Sequence, residues 1–236
     1  MSETPETRAL ALEWIDGDMP YSPDFGDHFY CREDGRAECG HVFLAGNGLP
    51  QRWAADGPFV IGELGFGTGL NFCETWRAWK DAGGGGTLRF VSFELHPMDR
   101  DSVDRALRRW PEIDAERQAL VARWGDPVNG MVDLDFGDVR LTVVCGDALG
   151  NLAGSPLAFD AWYLDGFAPS RNLAMWSAEI LKAVFDHSAP GGTFATYAAA
   201  GFVRRNLIAA GFAVERRLGF AGKREMLCGT RSGPGL

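Results

Sequence analysis

From residue 59 onward, short apolar runs alternate with stretches whose apolar residues recur every three or four positions. A run such as FVIGEL (59–64) or LRFVSFEL (88–95) suits a buried strand, because both faces of its pleat are apolar. LNFCETWRAWK instead brings Leu70, Cys73, Trp76 and Trp79 onto one stripe, the helical period. The same reading predicts helices in MDRDSVDRALRRW, stopped by Pro111, in MWSAEILKAVFDHS, stopped near Pro190, and in GFVRRNLIAAG. It predicts further strands in MVDLDF and VRLTVVCG about a Gly137-Asp138 turn, and in FDAWYLDG, GGTFATYA, FAVERRLGF and REMLCG. Strand–helix alternation of this kind implies an α/β doubly wound sheet with helices on both faces. The last two strands have no helix between them, so one strand is expected to run antiparallel.

Residues 1–58 follow another pattern and read as a small β-rich extension to a main body at 59–236. LEWIDGDMPYS and CREDGRAECGHVFL each carry an Asp-Gly pair between partly alternating segments, which predicts two hairpins. GNGLPQRW reads as a loop into the main body. No run of about 18 apolar residues occurs, which argues against a membrane helix. The start, MSETPETRALALEW, lacks the basic then apolar order of a secretory leader, so a cytoplasmic protein is expected. Five cysteines without a CxxC pair predict reduced thiols and no metal site. The net charge of −9 discourages a nucleic-acid partner, but its distribution is uneven. Residues 1–40 hold ten acids against three arginines, whereas residues 171–236 hold nine Lys/Arg against four acids. A basic patch in the last third is therefore compatible with an acidic total.

The candidate chemistry begins at GELGFGTGLN (62–71). Its glycines stand at Gly65, Gly67 and Gly69, with Thr68 between them, Glu63 before and Asn71 after. A dinucleotide fingerprint reads G-x-G-x-x-G, and this spacing is one residue tighter. The acid-led form resembles the first motif of class I S-adenosylmethionine-dependent methyltransferases. That resemblance implies a Rossmann-like, seven-stranded, mostly parallel sheet. It also implies an acid ending the second strand to hold the ribose hydroxyls, and a polar residue ending the third beside the adenine. Glu94 in VSFELHP and Asp147 in CGDAL stand at those points. In WYLDGFAPSRN, Asp165 ends the next strand, where the reactive group of amino-methyltransferases stands, and Phe167 follows it.

Five stretches together, DGRAECGHVFLAGNGLPQRW, ELGFGTGLNF, YLDGFAPSRNLAMW, TYAAAGFVRRNL and GFAGKREML, resemble the tRNA 5-methylaminomethyl-2-thiouridine methyltransferase family over residues 10 to 230. The resemblance implies methylation of the aminomethyl group on a tRNA wobble uridine, in the anticodon loop, with Asp165 as the catalytic residue. It implies the stand-alone type, since no second glycine-rich dinucleotide motif follows, with a separate oxidase as a possible partner on the same uridine. Asn47, with Leu49, is expected to help close over the cofactor. Phe167 is expected to stack on the target uracil, and Lys223 and Arg224 to meet RNA phosphates. The family's Tyr-Phe order is reversed at Phe29-Tyr30. Three alternatives stay open: a small-molecule amine methyltransferase, a non-catalytic cofactor-binding partner and, disfavoured by the glycine spacing, a nicotinamide-dependent oxidoreductase.

Overall fold

A computed structural model describes residues 11–53, 57–125 and 130–232; residues 1–10, where a leader would begin, lie outside it. Three short strands come first, β1 (Glu13–Ile15), β2 (Met19–Ser22) and β3 (Asp27–His28), joined antiparallel. The β1–β2 hairpin turns at Asp16-Gly17, both in the left-handed region, as the Asp-Gly pair predicts. The second predicted hairpin is not formed. Residues 31–44 instead carry a short helix, α1 (Gly35–Glu38), running into a π-helical turn at Cys39–Leu44. Asp34 caps that helix, its carboxylate accepting from the backbone N–H groups of Arg36 and Ala37. Cys39, Val42, Phe43 and Leu44 are buried together, so a helical stripe overrode the Asp-Gly turn signal.

The main body follows as β4 (Pro58–Leu64), α2 (Leu70–Asp81), β5 (Thr87–Glu94), α3 (Arg100–Leu107), α4 (Asp114–Arg123), β6 (Met131–Asp135), β7 (Val139–Cys145), α5 (Ala148–Ala153), β8 (Phe159–Leu164), α6 (Ala178–Asp186), β9 (Ser188–Thr196), α7 (Gly201–Ala210), β10 (Phe212–Arg217) and β11 (Met226–Arg231). They form an eight-stranded sheet in the order β10-β11-β9-β8-β4-β5-β7-β6. The central pairs β9·β8, β8·β4, β4·β5 and β5·β7 are parallel. β11 inserts antiparallel between β9 and β10, so the final hairpin is present. The eighth strand, one more than expected, is β6 at the far edge, paired antiparallel with β7. Helices α4 and α5 were not read from the sequence. Pro190 does not stop α6, which ends at Asp186; it lies in β9, where the β8·β9 ladder slips register.

The chain reverses direction of winding at β4, which has β5 on one side and β8 on the other. A crevice must open there, at the carboxyl ends of these strands, because the following connections leave to opposite faces. One apolar cluster under the sheet unites Met19, Tyr30 and Val42 of the first 58 residues with Phe72, Phe90 and Tyr163 of the body. The N-terminal strands thus share the core of the sheet they border. Tyr163 is fully buried in it and Trp162 in the second cluster on the other face of β8, as their places inside a strand predict.

Candidate active site

A cavity of about 740 Å³ occupies the carboxyl-end crevice, within the range for small-molecule sites. The glycine turn forms its floor. Gly65, Gly67 and Gly69 all have positive φ (+90°, +54° and +80°). At Gly65 a side chain would be doubly excluded: the backbone conformation disfavours it, and a Cβ would lie 2.9 Å from the Asp165 carbonyl oxygen. The turn can therefore lie flat against the tip of β8. Gly65, Gly67, Thr68 and Asn71 line the cavity; Gly69 does not, and instead packs on Phe66 and Leu120 where α2 begins.

Glu94 and Asp147 stand where the motif reading puts them, at the tips of β5 and β7, both facing the cavity. One Glu94 oxygen accepts from Gly67 N–H (3.0 Å) and the other from His96 N–H (2.7 Å). Two backbone donors thereby aim the carboxylate. Asp147 caps α5 by accepting from Gly150 N–H (2.7 Å). A bare glycine cradle with carboxylates at two neighbouring strand tips fits S-adenosylmethionine, whose diol and amino groups need acceptors.

Glu63 does not reach the cavity. It is fully buried, with Ser92 Oγ donating to one oxygen (2.7 Å) and Asn71 Nδ2 to the other (3.0 Å). The same Asn71 nitrogen donates to Asp165 Oδ2 at 2.8 Å, so one amide bridges two carboxyl groups. Gly166 N–H donates to Asp165 Oδ1 (2.9 Å). Burial pushes the Asp165 carboxyl up to about 7, helped by the charge of Glu38 and opposed by the Asn71 and Gly166 hydrogen bonds and by Lys223. Burial pushes Glu63 up to about 8 against its two hydrogen bonds.

Across from the glycine turn, the wall comes from the first 40 residues. Phe25 stacks on Phe167 (ring centroids 4.4 Å apart, 21° between planes), and Phe29 meets the same ring edge-on (5.1 Å). Asp27 accepts from Ala168 N–H (2.9 Å), and Arg171 donates to the Phe25 carbonyl (3.2 Å). These contacts fix the 165–171 loop against β3. One face of Phe167 is thereby already occupied, leaving Phe29 and the rest of Phe167 as the aromatic lining.

Besides Gly69 and Glu63, four expected site residues lie elsewhere or do other work. Asn47 is buried and does not line the cavity; it donates to the Phe43 and Trp162 carbonyls and accepts from Thr193. Leu49 is buried nearby in the core. Both hold the N-terminal segment to the sheet rather than covering a cofactor. Arg224 is exposed outside the cavity. Lys223 does line it, but its ammonium is paired with Glu38 (2.7 Å) and lies 4.2 Å over the Tyr197 ring. The basic third is similarly spent: Arg216, Arg217 and Lys182 pair with Glu225, Glu215 and Asp186. Arg204 is partly buried and Arg205 exposed, as adjacent positions on a helix require. Glu38 and Tyr197 were missed. A carboxylate inside the predicted second hairpin gave no signal, and Tyr197 became visible only once β9 ended beside β8.

A family model described as S-adenosyl-L-methionine-dependent methyltransferase matches residues 111–232, just over half the chain. The chain belongs to that family. The matched span includes Asp147, Asp165 and Lys223, and the glycine turn precedes it. A solved methyltransferase-fold neighbour, MNMC2 from Aquifex aeolicus, superposes with a TM-score of 0.75 over 98% of this chain and 73% of that one, at 19% identity. Curated relatives are closer in sequence. The tRNA 5-methylaminomethyl-2-thiouridine biosynthesis bifunctional protein MnmC of Chromohalobacter salexigens is 44% identical over 98% of this chain and 34% of its own length. The protein of that name from Cupriavidus necator is 46% identical over 88% of this chain and 32% of its length. This methyltransferase chain spans about a third of these relatives. S-Adenosylmethionine is its cofactor, and its eight-stranded sheet is a class I methyltransferase sheet with an added edge strand.

Proposed function

We propose that the enzyme methylates the primary amine of 5-aminomethyl-2-thiouridine at the wobble position of tRNA. The relatives' role in tRNA 5-methylaminomethyl-2-thiouridine biosynthesis supports the substrate; the observation that carries the chemistry is the Asp165 carboxylate. It is held by Asn71 and Gly166 at the strand tip beside the glycine turn, with its proton affinity raised to about 7. S-Adenosylmethionine supplies an electrophilic methyl group on a sulfonium.

The protein's task is then to present a neutral amine. An alkylammonium near 10.4 and an ordinary Asp near 3.9 differ by about six and a half units, an uphill proton transfer. With Asp165 at about 7 the gap narrows to about three and a half units. A cavity that desolvates the ammonium narrows it further, because burial disfavours that cation. An Asp165 oxygen would accept the ammonium's proton, and bound S-adenosylmethionine would supply its methyl to the freed lone pair, the carbon–sulfur bond breaking with its electron pair left on sulfur. Asn71 and Gly166 fix the carboxylate's orientation throughout, which is the positioning contribution.

Glu94 and Asp147 hold the cofactor's hydroxyl and amino groups, with Gly65, Gly67 and Thr68 against its chain. Glu63 serves through Asn71. Phe29 and Phe167 present aromatic surface to an unstacked base, and Arg224 and Arg205 remain exposed for backbone phosphates. The division at residue 58 is one of role: the earlier segment walls the substrate, the later one carries cofactor and base. The tRNA reading places the enzyme in the cytoplasm, acting after a separate oxidase on the same uridine. Among the described residues no helix is long and apolar enough to cross a membrane.

One observation favours a second reading, a small-molecule amine as substrate: Lys182, Arg216, Arg217 and Lys223, four of the nine cations of the last third, are engaged in ion pairs. Incubation with labelled cofactor, tRNA carrying 5-aminomethyl-2-thiouridine and a panel of small amines decides. Label in the 5-methylaminomethyl nucleoside of digested tRNA is expected; label confined to small amines overturns the tRNA assignment.

A further inference from the structure

Outside the motifs, the cavity holds an ion pair that neither cofactor binding nor proton acceptance requires. Glu38, on α1, is largely buried and lines the cavity; Lys223, from the β10–β11 connection, reaches it across a sequence separation of 185. Each partner is tied to Asp165 by a separate route. On one side, Cys39 Sγ next to Glu38 contacts the Asn71 carbonyl (4.0 Å), and Asn71 donates to Asp165. On the other, Lys223 lies over Tyr197, whose hydroxyl donates to the Gly166 carbonyl, the residue after Asp165 (2.5 Å). The contacts close a ring around the reacting carboxylate.

We propose that the Glu38–Lys223 pair is a positioning element that sets the proton affinity of Asp165 by balancing opposite charges across this ring. Glu38 favours the protonated carboxyl and Lys223 the carboxylate, so with both in place Lys223 cancels part of the larger Glu38 effect. The other groups facing Asp165 do not supply this balance. Glu63 from β4 is itself pushed toward the neutral form, Cys39 and Tyr197 are held protonated by burial, and Asn71 cannot titrate. Asp27 on β3 and Glu94 on β5 also line the cavity, but neither ranks with Glu38 and Lys223 among the charges that act on the Asp165 carboxyl. Lys223 is therefore an internal counter-charge for the catalytic carboxylate rather than a phosphate contact. This inference rests on the role of Asp165 given above, and it deepens that reading.

The distinguishing feature is a sign reversal. E38Q leaves Lys223 unopposed and is expected to lower the Asp165 titration by about one pH unit; K223M leaves Glu38 unopposed and is expected to raise it by a smaller amount. The double variant E38Q/K223M falls between E38Q and the wild type, and K223R, which keeps the cation, stays near the wild type. The titration is read by carbon NMR of carboxyl-labelled aspartate, assigned with D165N, in the full-length chain without RNA. It therefore stands or falls independently of which amine is methylated. The acid limb of kcat/KM against pH should move with it when tRNA is the substrate. Lys223 is exposed enough that K223M will fold; circular dichroism and a thermal melt check E38Q. Shifts in the same direction, or no shift in a folded K223M, overturn the proposal.

Discussion

Along the cofactor side of the cleft, the walls are turns at successive strand tips, residues 65–71 and 94–96, followed by Asp147. Their functional groups are backbone N–H donors and carboxylates fixed by short-range bonds, such as Gly67 to Glu94 and Gly150 to Asp147. Across the cleft, the walls come from Phe25, Phe29, Glu38, Phe167, Tyr197 and Lys223, drawn from both ends of the chain. They are held by contacts such as Asp27 to Ala168 and Glu38 to Lys223. The cofactor side is a local device that a parallel sheet provides at its switch point. The opposite side is a tertiary construction, and it is where the proposed function has substrate choice and proton affinity set. Asn71 joins the two, belonging to the glycine motif while bonded to Asp165.

The contrast breaks if a change on one side acts on the other. D165N is expected to lower kcat by about 10²- to 10⁴-fold while cofactor affinity, measured calorimetrically, stays within about twofold. G65A should do the reverse. Its strained φ and 2.9 Å approach to Asp165 should cost cofactor affinity about 100-fold, read in the same calorimeter. E94Q sharpens the assignment of the diol: about tenfold weaker cofactor binding is expected, with the pH profile of kcat unmoved. F25A unstacks Phe167 and should raise KM for RNA several-fold with little change in cofactor affinity.

The smallest effect concerns stability. Because the folded-state pKa of Asp165 lies above its unfolded value, the folded protein binds the proton more tightly. That contribution is present below about pH 4 and is lost as pH rises through about 7. At pH 8 the buried charge is a net cost, so D165N should melt higher than wild type by roughly 4–8 °C, if about 2 kcal/mol is recovered. At pH 4 the two should melt together. A wild-type-like melting curve for D165N at both pH values would mean that the carboxylate is solvated rather than held in the ring.

This division also explains what could be read in advance. The strand order of the body, every helix of the body but α4 and α5, and the places of the glycine turn, Glu94, Asp147 and Asp165 were legible because each is local: a periodicity, a spacing, or an acid at a strand end. The eighth strand was legible as a strand but not as a member of the sheet, since edge pairing with β7 is decided by register rather than composition. Asn47 was misplaced because a short turn-rich stretch looks the same whether it lids a cavity or plugs a core. Its amide satisfies carbonyls from the π-helical turn and β8, which no local pattern announces. The basic count of the last third misled in another way. Formal charge ignores partners, and Arg216, Arg217 and Lys223 each find a carboxylate nearby in space.

The ring about Asp165 also constrains how the protein can be made. Its longest link joins residues 185 positions apart, so its closure waits on nearly the whole chain. A nascent polypeptide short of residue 223 can present the glycine turn, yet it lacks the counter-charge beside Asp165.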